Sequence, residues 1–150
     1  MTRTPYHFWN TFREPRFNGP EELSVLGYWA SDIGEYPLNV VEVIDVVRRA
    51  RSEVPFTPQD WSGNARGATI SAHGVEVEHY FVTHLRGEFT LDEALIVLRD
   101  LWDHHVLRRP EEAGDAWSQY AGRTGRNPLA GLRDLTVWSP PALVSSRRAR

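Results

Sequence analysis

One stretch constrains the fold more than any other: "TLDEALIVLRDLWDHH", Thr90 to His105. Thr90 and Glu93, three residues apart, make a capping box, each side chain satisfying a backbone N–H that a helix start leaves orphaned. Asp92 adds negative charge at the favourable end of the helix dipole. Leu91, Ala94, Leu95, Leu98, Leu101 and Trp102 then recur at helical spacing, and Arg108, Arg109 and Pro110 close the element. So broad an apolar stripe must be covered by something. The residues just ahead of it supply the cover, because there the apolar period changes from helical to two.

Ala68, Ile70 and Ala72 alternate with Thr69 and Ser71, and Val75, Val77, His79 and Phe81 alternate with Glu76, Glu78, Tyr80, Val82 and His84. A two-residue turn at His73-Gly74 would pair Ala72 with Val75, Ile70 with Val77 and Ala68 with His79. One face of this hairpin is then apolar, built from Ala68, Ile70, Val77 and Phe81. The other presents Thr69, Ser71, Glu76, Glu78 and Tyr80 to solvent or to a partner. The long helix is expected to lie on the apolar face. The fold class implied is α+β, an antiparallel hairpin or small sheet packed against two to four helices.

Upstream, Leu23, Leu26, Ala30 and Ile33 predict a helix from Glu21 to Ile33 with Pro20 as its first residue, weakened by Gly27. Asn39 and Glu42 read as a capping-box variant opening "VVEVIDVVRRARSE", with Val40, Val43, Ile44 and Val47 as the stripe. Arg48, Arg49 and Arg51 fall in its last turn, where the dipole favours cations. "TPQD", Thr57 to Asp60, reads as one capped turn that Gly63 terminates. Tyr6, Phe8, Trp9, Phe12 and Phe17 are expected to clamp the N-terminus onto the core. After Pro110, "EEAGDAWSQYAG" reads as a short helix carrying Trp117 and Tyr120, then loop and a short strand through Leu135 and Val137. We expect one globular domain over 1–141 and a flexible basic tail over 142–150.

The loop "WSGNARGATI", Trp61 to Ile70, raises the question of a phosphate cradle. Such a cradle needs glycine-aimed backbone N–H groups and a following helix N-terminus. Here no Gly-Lys-Ser/Thr is present and the next element is a strand, so the loop reads as punctuation with Trp61 as a packing anchor.

Composition narrows the function classes. A chain of 150 residues, 41% apolar and with six tryptophans, can bury a genuine core. It holds no cysteine, which excludes disulfides, thiol catalysis and thiolate metal sites. No run of about 18 apolar residues predicts a membrane span, and "MTRTPYHFWN" lacks the apolar core of a secretory signal. A cytoplasmic location is expected. The net charge of −3 hides an asymmetry: residues 1–107 carry 16 acids and 9 arginines, residues 108–150 carry 4 acids and 8 arginines. An acidic body repels phosphates and attracts basic partners, so direct nucleic-acid binding is disfavoured.

The six histidines do not make a metal site. His79 and His84, five apart on a strand, point to opposite faces, and His104 and His105, adjacent on a helix, diverge. Asp100 and His104 stand at i,i+4, a spacing that surface ion pairs use far more often than metals. His79 falls on the apolar face and reads as a core histidine satisfied by a backbone carbonyl. Glu76 and Glu78 share one strand face, the spacing of a paired-carboxylate site and also of an ordinary solvated strand. We expect no catalytic residue, no metal and no cofactor.

Taken together, a helix, "WSGNARGATI", "GVEVEHYF" and "GEFTLDEALIVLRDLW" resemble the pattern of small bacterial immunity proteins of contact-dependent growth inhibition and other polymorphic toxin systems, over roughly residues 40–105. The resemblance implies a non-enzymatic inhibitor that occludes the active site of one cognate toxin domain, often a nuclease. The charge layout fits independently, since an acidic surface mimics phosphate and speeds encounter with a basic cleft. Charge and register make Glu76, Glu78 and Tyr80 the expected partner surface, with Tyr80 as an anchor. Glu42, Asp45, Asp92, Asp100 and Asp103 are reserves. Two alternatives stand beside this expectation: a small enzyme with a pocket near His79 and Trp61, and a protein-binding adaptor without inhibitory activity.

Overall fold

The computed structural model describes residues 7–11, 14–19 and 21–132. In chain order the elements are β1 (His7–Thr11), β2 (Glu14–Asn18), a 3-10 turn (Glu21–Leu23), α1 (Ser24–Ile33), α2 (Pro37–Ser52), β3 (Gln59–Ser62), β4 (Arg66–Ser71), β5 (Gly74–His79), β6 (Arg86–Phe89), α3 (Leu91–Arg108) and α4 (Pro110–Thr124). Strands β3 to β6 form an antiparallel meander in sequence order, and β1–β2 form a separate hairpin. The fold is mixed α+β, as the change of period from two to 3.6 around Thr90 implies.

The capping box forms as expected: Glu93 N–H donates to Thr90 Oγ1 at 3.0 Å and Thr90 N–H donates to Glu93 Oε1 at 2.9 Å. Beyond the cap, the apolar surface of α3 is wider than a stripe. Every residue from Glu93 to Leu98 is buried, and so are Asp100 to Trp102, His104 and His105. A helix buried on nearly all sides lies inside the domain rather than on it. α3 packs against α1, α2, α4, β1 and β5, whereas α1 crosses β4, β5 and β6 and α2 meets β4. The cover over the apolar sheet face is therefore supplied chiefly by α1 and α2. The consecutive apolar run "ALIVL" carries that result, since residues off the stripe also lack contact with water.

Several boundaries differ from expectation for local reasons. α2 begins at Pro37 with Tyr36 at the N-cap, so Asn39 sits inside the first turn and caps nothing. Proline at the first helical position loses no hydrogen bond and presets φ, which outcompetes a capping side chain two residues on. The expected helix at Glu21 opens as a 3-10 turn and becomes α-helical at Ser24. Gly27 is a packing requirement there, because a Cβ would lie 2.2 Å from the buried ring of Phe17. "TPQD" is not a capped turn: Gln59 and Asp60 open β3, and Gly63 belongs to the β3–β4 turn.

The hairpin register is also shifted by two residues. The turn is Ala72–His73, so Ile70 faces Val75 and Ala68 faces Val77. A slip of two keeps each side chain on its face, and Ala68, Ile70, Val75 and Val77 are buried as the alternation requires. The cause is Gly74, whose φ of +143 and whose close approach to the Phe89 carbonyl, 2.5 Å from where a Cβ would stand, place it at the start of β5. Phe81 corrects the expected apolar face: β5 ends at His79, and Phe81 is 77% exposed.

At the N-terminus, β1 and β2 pair with Phe8 opposite Phe17, β2 lying on α1 and β1 on α3. Phe17 is buried, in keeping with a clamp. Tyr6, Phe12, the strand expected through Leu135 and Val137, and the tail 142–150 lie outside the described residues. α4 carries Trp117 and Tyr120 as expected and ends at Gly125 in the left-handed region. Among the described residues no helix is long and apolar enough to cross a membrane.

Candidate functional site

With α1, α2 and α3 on one face of the meander, no helix among the described residues lies on the opposite face. Side chains alternate across a strand, so the register alone fixes what this open face shows. One row runs Asp60, Thr69, Glu76, Glu88 across the four strands, and the next runs Ser62, Gly67, Glu78, Arg86. Four carboxylates thus stand against one guanidinium. These rows and Tyr80 line a shallow concavity of about 410 Å³.

Tyr80 comes just after the end of β5 but is tied to the sheet, its N–H donating to the Ala65 carbonyl at 2.8 Å. Its ring folds over the open face and its hydroxyl donates to Ser62 Oγ at 2.8 Å. Gly67 leaves room for it, since a Cβ there would meet the Tyr80 oxygen at 2.2 Å. Thr69 Oγ1 donates to Asp60 Oδ1 at 2.9 Å, orienting one edge carboxylate. Glu76 and Glu88 lie directly opposite each other on β5 and β6, where like charges oppose pairing. Glu78 stands opposite Arg86.

The expected partner-surface residues divide. Glu76, Glu78 and Tyr80 come together on this face and are exposed. Glu42 lies instead on α2 and accepts from Arg123 Nη2 at 2.9 Å. Asp92, at the start of α3, pairs with Arg51 at 3.3 Å. Asp103 is half-buried on α3. Asp45 and Asp100 are buried, which corrects their place among surface candidates.

Asp45 is the centre of a structural cluster. Arg126 donates to it through Nε and Nη2, the latter at 2.7 Å, and the Tyr120 hydroxyl donates to Oδ2. Burial raises the Asp45 pKa, but the hydrogen bonds from Arg126 and Tyr120 and the charges of Arg126 and Arg49 outweigh it and hold the carboxyl below its ordinary range. Burial and the Asp45 contact push the Tyr120 phenol up. Thr69 lies on this face as the alternation implies, whereas Asp60, Arg86 and Glu88 were not foreseen there. Their signal was the alternation Gln59-Asp60-Trp61-Ser62 and Arg86-Gly87-Glu88-Phe89, each too short to stand out beside a turn and a capping box.

The loop Gly63 to Arg66 does bind an anion, and it is the chain's own. Ala65 and Arg66 N–H groups donate to Asp32 Oδ2 of α1 at 3.0 and 3.1 Å. Gly63 allows the approach, for a Cβ would fall 2.5 Å from that carboxylate. The cradle serves to dock the β3–β4 turn on α1. Trp61 is partly buried against the core, and its carbonyl accepts from Trp29 Nε1 at 3.0 Å, as an anchor would.

His79 is half-buried, and its Nδ1 accepts from the N–H groups of Phe81 and Val82 at 3.1 and 3.0 Å. It caps the turn leaving β5, rather than donating to a carbonyl as a core histidine would. Neither His79 nor Trp61 lines the sheet concavity. His105 is a buried histidine bonded to a carbonyl, its Nε2 lying 2.8 Å from Gly34 O. Nε2–H donates to that carbonyl, and burial lowers the His105 pKa against the opposing effect of the hydrogen bond. Among the described residues no group of three or more His, Asp or Glu side chains is placed to hold a metal.

No protein-family model, curated protein or solved structure matches this chain.

Proposed function

We propose that this chain is a cytoplasmic immunity protein, non-enzymatic, that neutralises a cognate toxin domain by laying the open sheet face over a basic active-site cleft. The observation that supports the reading is the composition of that face: Asp60, Glu76, Glu78 and Glu88 against Arg86, on a surface that no helix among the described residues covers. Carboxylates spaced along strands offer a basic nuclease cleft the charge pattern it uses for phosphates. Complementary charge of this kind raises the association rate and suppresses wrong partners. Tyr80, held over Gly67 by Ser62, supplies a preorganised aromatic contact within the charged field.

The test is a pull-down from the native host with the tagged chain, then co-expression with whatever single domain is retained. Capture of a basic domain whose toxicity the wild-type chain abolishes, and which Glu76→Lys with Glu78→Lys fails to bind while remaining folded, is the expected result. Undiminished binding and protection by that double variant would overturn the reading. A partner that binds the face without harming cells would make the chain an adaptor.

A further inference from the structure

A second concavity lies at the far end of the helix layer, where the last turn of α2 meets the segment leaving α4. It measures about 560 Å³ and is lined by Arg48, Arg49, Arg51 and Arg126 around Asp45. Three of these arginines come from a helix C-terminus, where the dipole alone would account for them. Arg126 is different, because it arrives from beyond Gly125 and is fixed in place. Asp45 takes its Nε and Nη2, at 3.1 and 2.7 Å, and the carboxylate is only 4% exposed. The same oxygen, Oδ2, lies 3.4 Å from Arg49 Nε, a buried donor with no hydrogen-bond acceptor among the described residues. One buried carboxylate thus positions two guanidinium groups from separate elements.

A guanidinium has five N–H donors in a rigid fork, so a carboxylate on its inner edge leaves donors on the outer one. Arg48 closes the cleft from another side, its Nη1 donating to the carbonyls of Pro128, at 2.7 Å, and Ala130. Arg51 stands at the rim and shares its charge with Asp92 at the surface. The lining balance of four cations to one anion exceeds what a single carboxylate ligand would neutralise. Fork geometry suits phosphoryl oxygens, and among the described residues the lining includes no aromatic ring on which a base could stack.

We propose that this arginine cleft is a binding site for a small polyanion of the phosphoryl class, such as pyrophosphate or a short polyphosphate, held by Arg49, Arg51 and Arg126. The site is independent of the acidic sheet face and of any toxin partner.

The experiment titrates inorganic pyrophosphate into the full chain at low ionic strength, monitoring backbone amides and arginine Nε–Hε signals by NMR. Saturable shifts centred on Arg49, Arg51 and Arg126 are expected, weakening as salt rises. Arg49→Gln should weaken binding about tenfold, the loss of one charge-assisted hydrogen bond. Arg51→Gln, a rim change with little bearing on folding, should weaken it by a smaller factor of about three. Shifts centred elsewhere, absence of saturation at millimolar pyrophosphate, or unchanged affinity in Arg51→Gln would overturn the proposal. Citrate binding as tightly as pyrophosphate would overturn the phosphoryl assignment.

Discussion

Asp45 on α2 and Glu76 on β5 are both carboxylates on regular secondary structure, and the fold treats them in opposite ways. Asp45 is buried and accepts from Arg126 and Tyr120, with Arg49 alongside. Glu76 is exposed and faces another carboxylate, Glu88, across the strand pair. The difference teaches where negative charge holds the chain together and where it is available to something else. A carboxylate enclosed by its own arginines contributes to folding. One set against its own kind in water costs the fold a little and is relieved by a cation from outside.

The comparison breaks most visibly at Asp45. Asp45→Asn should destabilise the fold by about 3 kcal/mol, the low end for breaking a buried pair because Arg126 is half exposed and water screens it. Urea unfolding at neutral pH measures this. The pH dependence has a definite sign. The folded pKa of Asp45 lies below its ordinary value, so its contribution is complete above about pH 4 and is lost as pH falls towards the lowered folded value. The acid limb of the wild-type stability curve should therefore flatten in Asp45→Asn. A variant that unfolds at the same urea concentration as wild type would show that Asp45 carries no structural load.

Asp32 is the intermediate case, a carboxylate used internally on a partly exposed site. Asp32→Ala removes the acceptor of the Ala65 and Arg66 N–H groups. It should cost about 1–2 kcal/mol and move the amide resonances of both residues. Unmoved amides would mean that the turn holds its shape without α1.

This pair of sites also shows what the sequence can and cannot disclose. The capped start of α3, the helical stripe of α2 and the alternation in β4 and β5 were legible because each is local and periodic. Glu76, Glu78 and Tyr80 were placed on one face by the same alternation, and a two-residue error in the turn left that face unchanged. Asp45 was misplaced because its valine neighbours suggest a solvated polar position between apolar ones. Its burial depends on Tyr120 and Arg126, 75 and 81 residues away. Asp60 and Glu88 were missed because β3 and β6 have only four residues each, too few for alternation to announce a strand. Asp32 gave no signal at all, since the turn it docks lies across the domain.

The smallest predicted effect is the sharpest test of the comparison, because its sign is opposite to the others. Glu76→Lys replaces a like-charge pair with Glu88 by an opposite-charge pair and should stabilise the chain by about 0.5 kcal/mol. Glu78→Lys, on the same strand and the same face, should cost a similar amount, because it sets a cation opposite Arg86. The two changes differ only in what stands across the strand, so solvation and propensity largely cancel between them. Thermal unfolding of the two single variants at low salt reads the difference, and added salt should shrink it. Opposite shifts would show that cross-strand charge, not burial, sets the energetics of the open face. Equal shifts would mean that these carboxylates are too well solvated to sense one another. The double variant combines the opposing changes and should remain near wild-type stability, which lets its partner binding be judged apart from its folding.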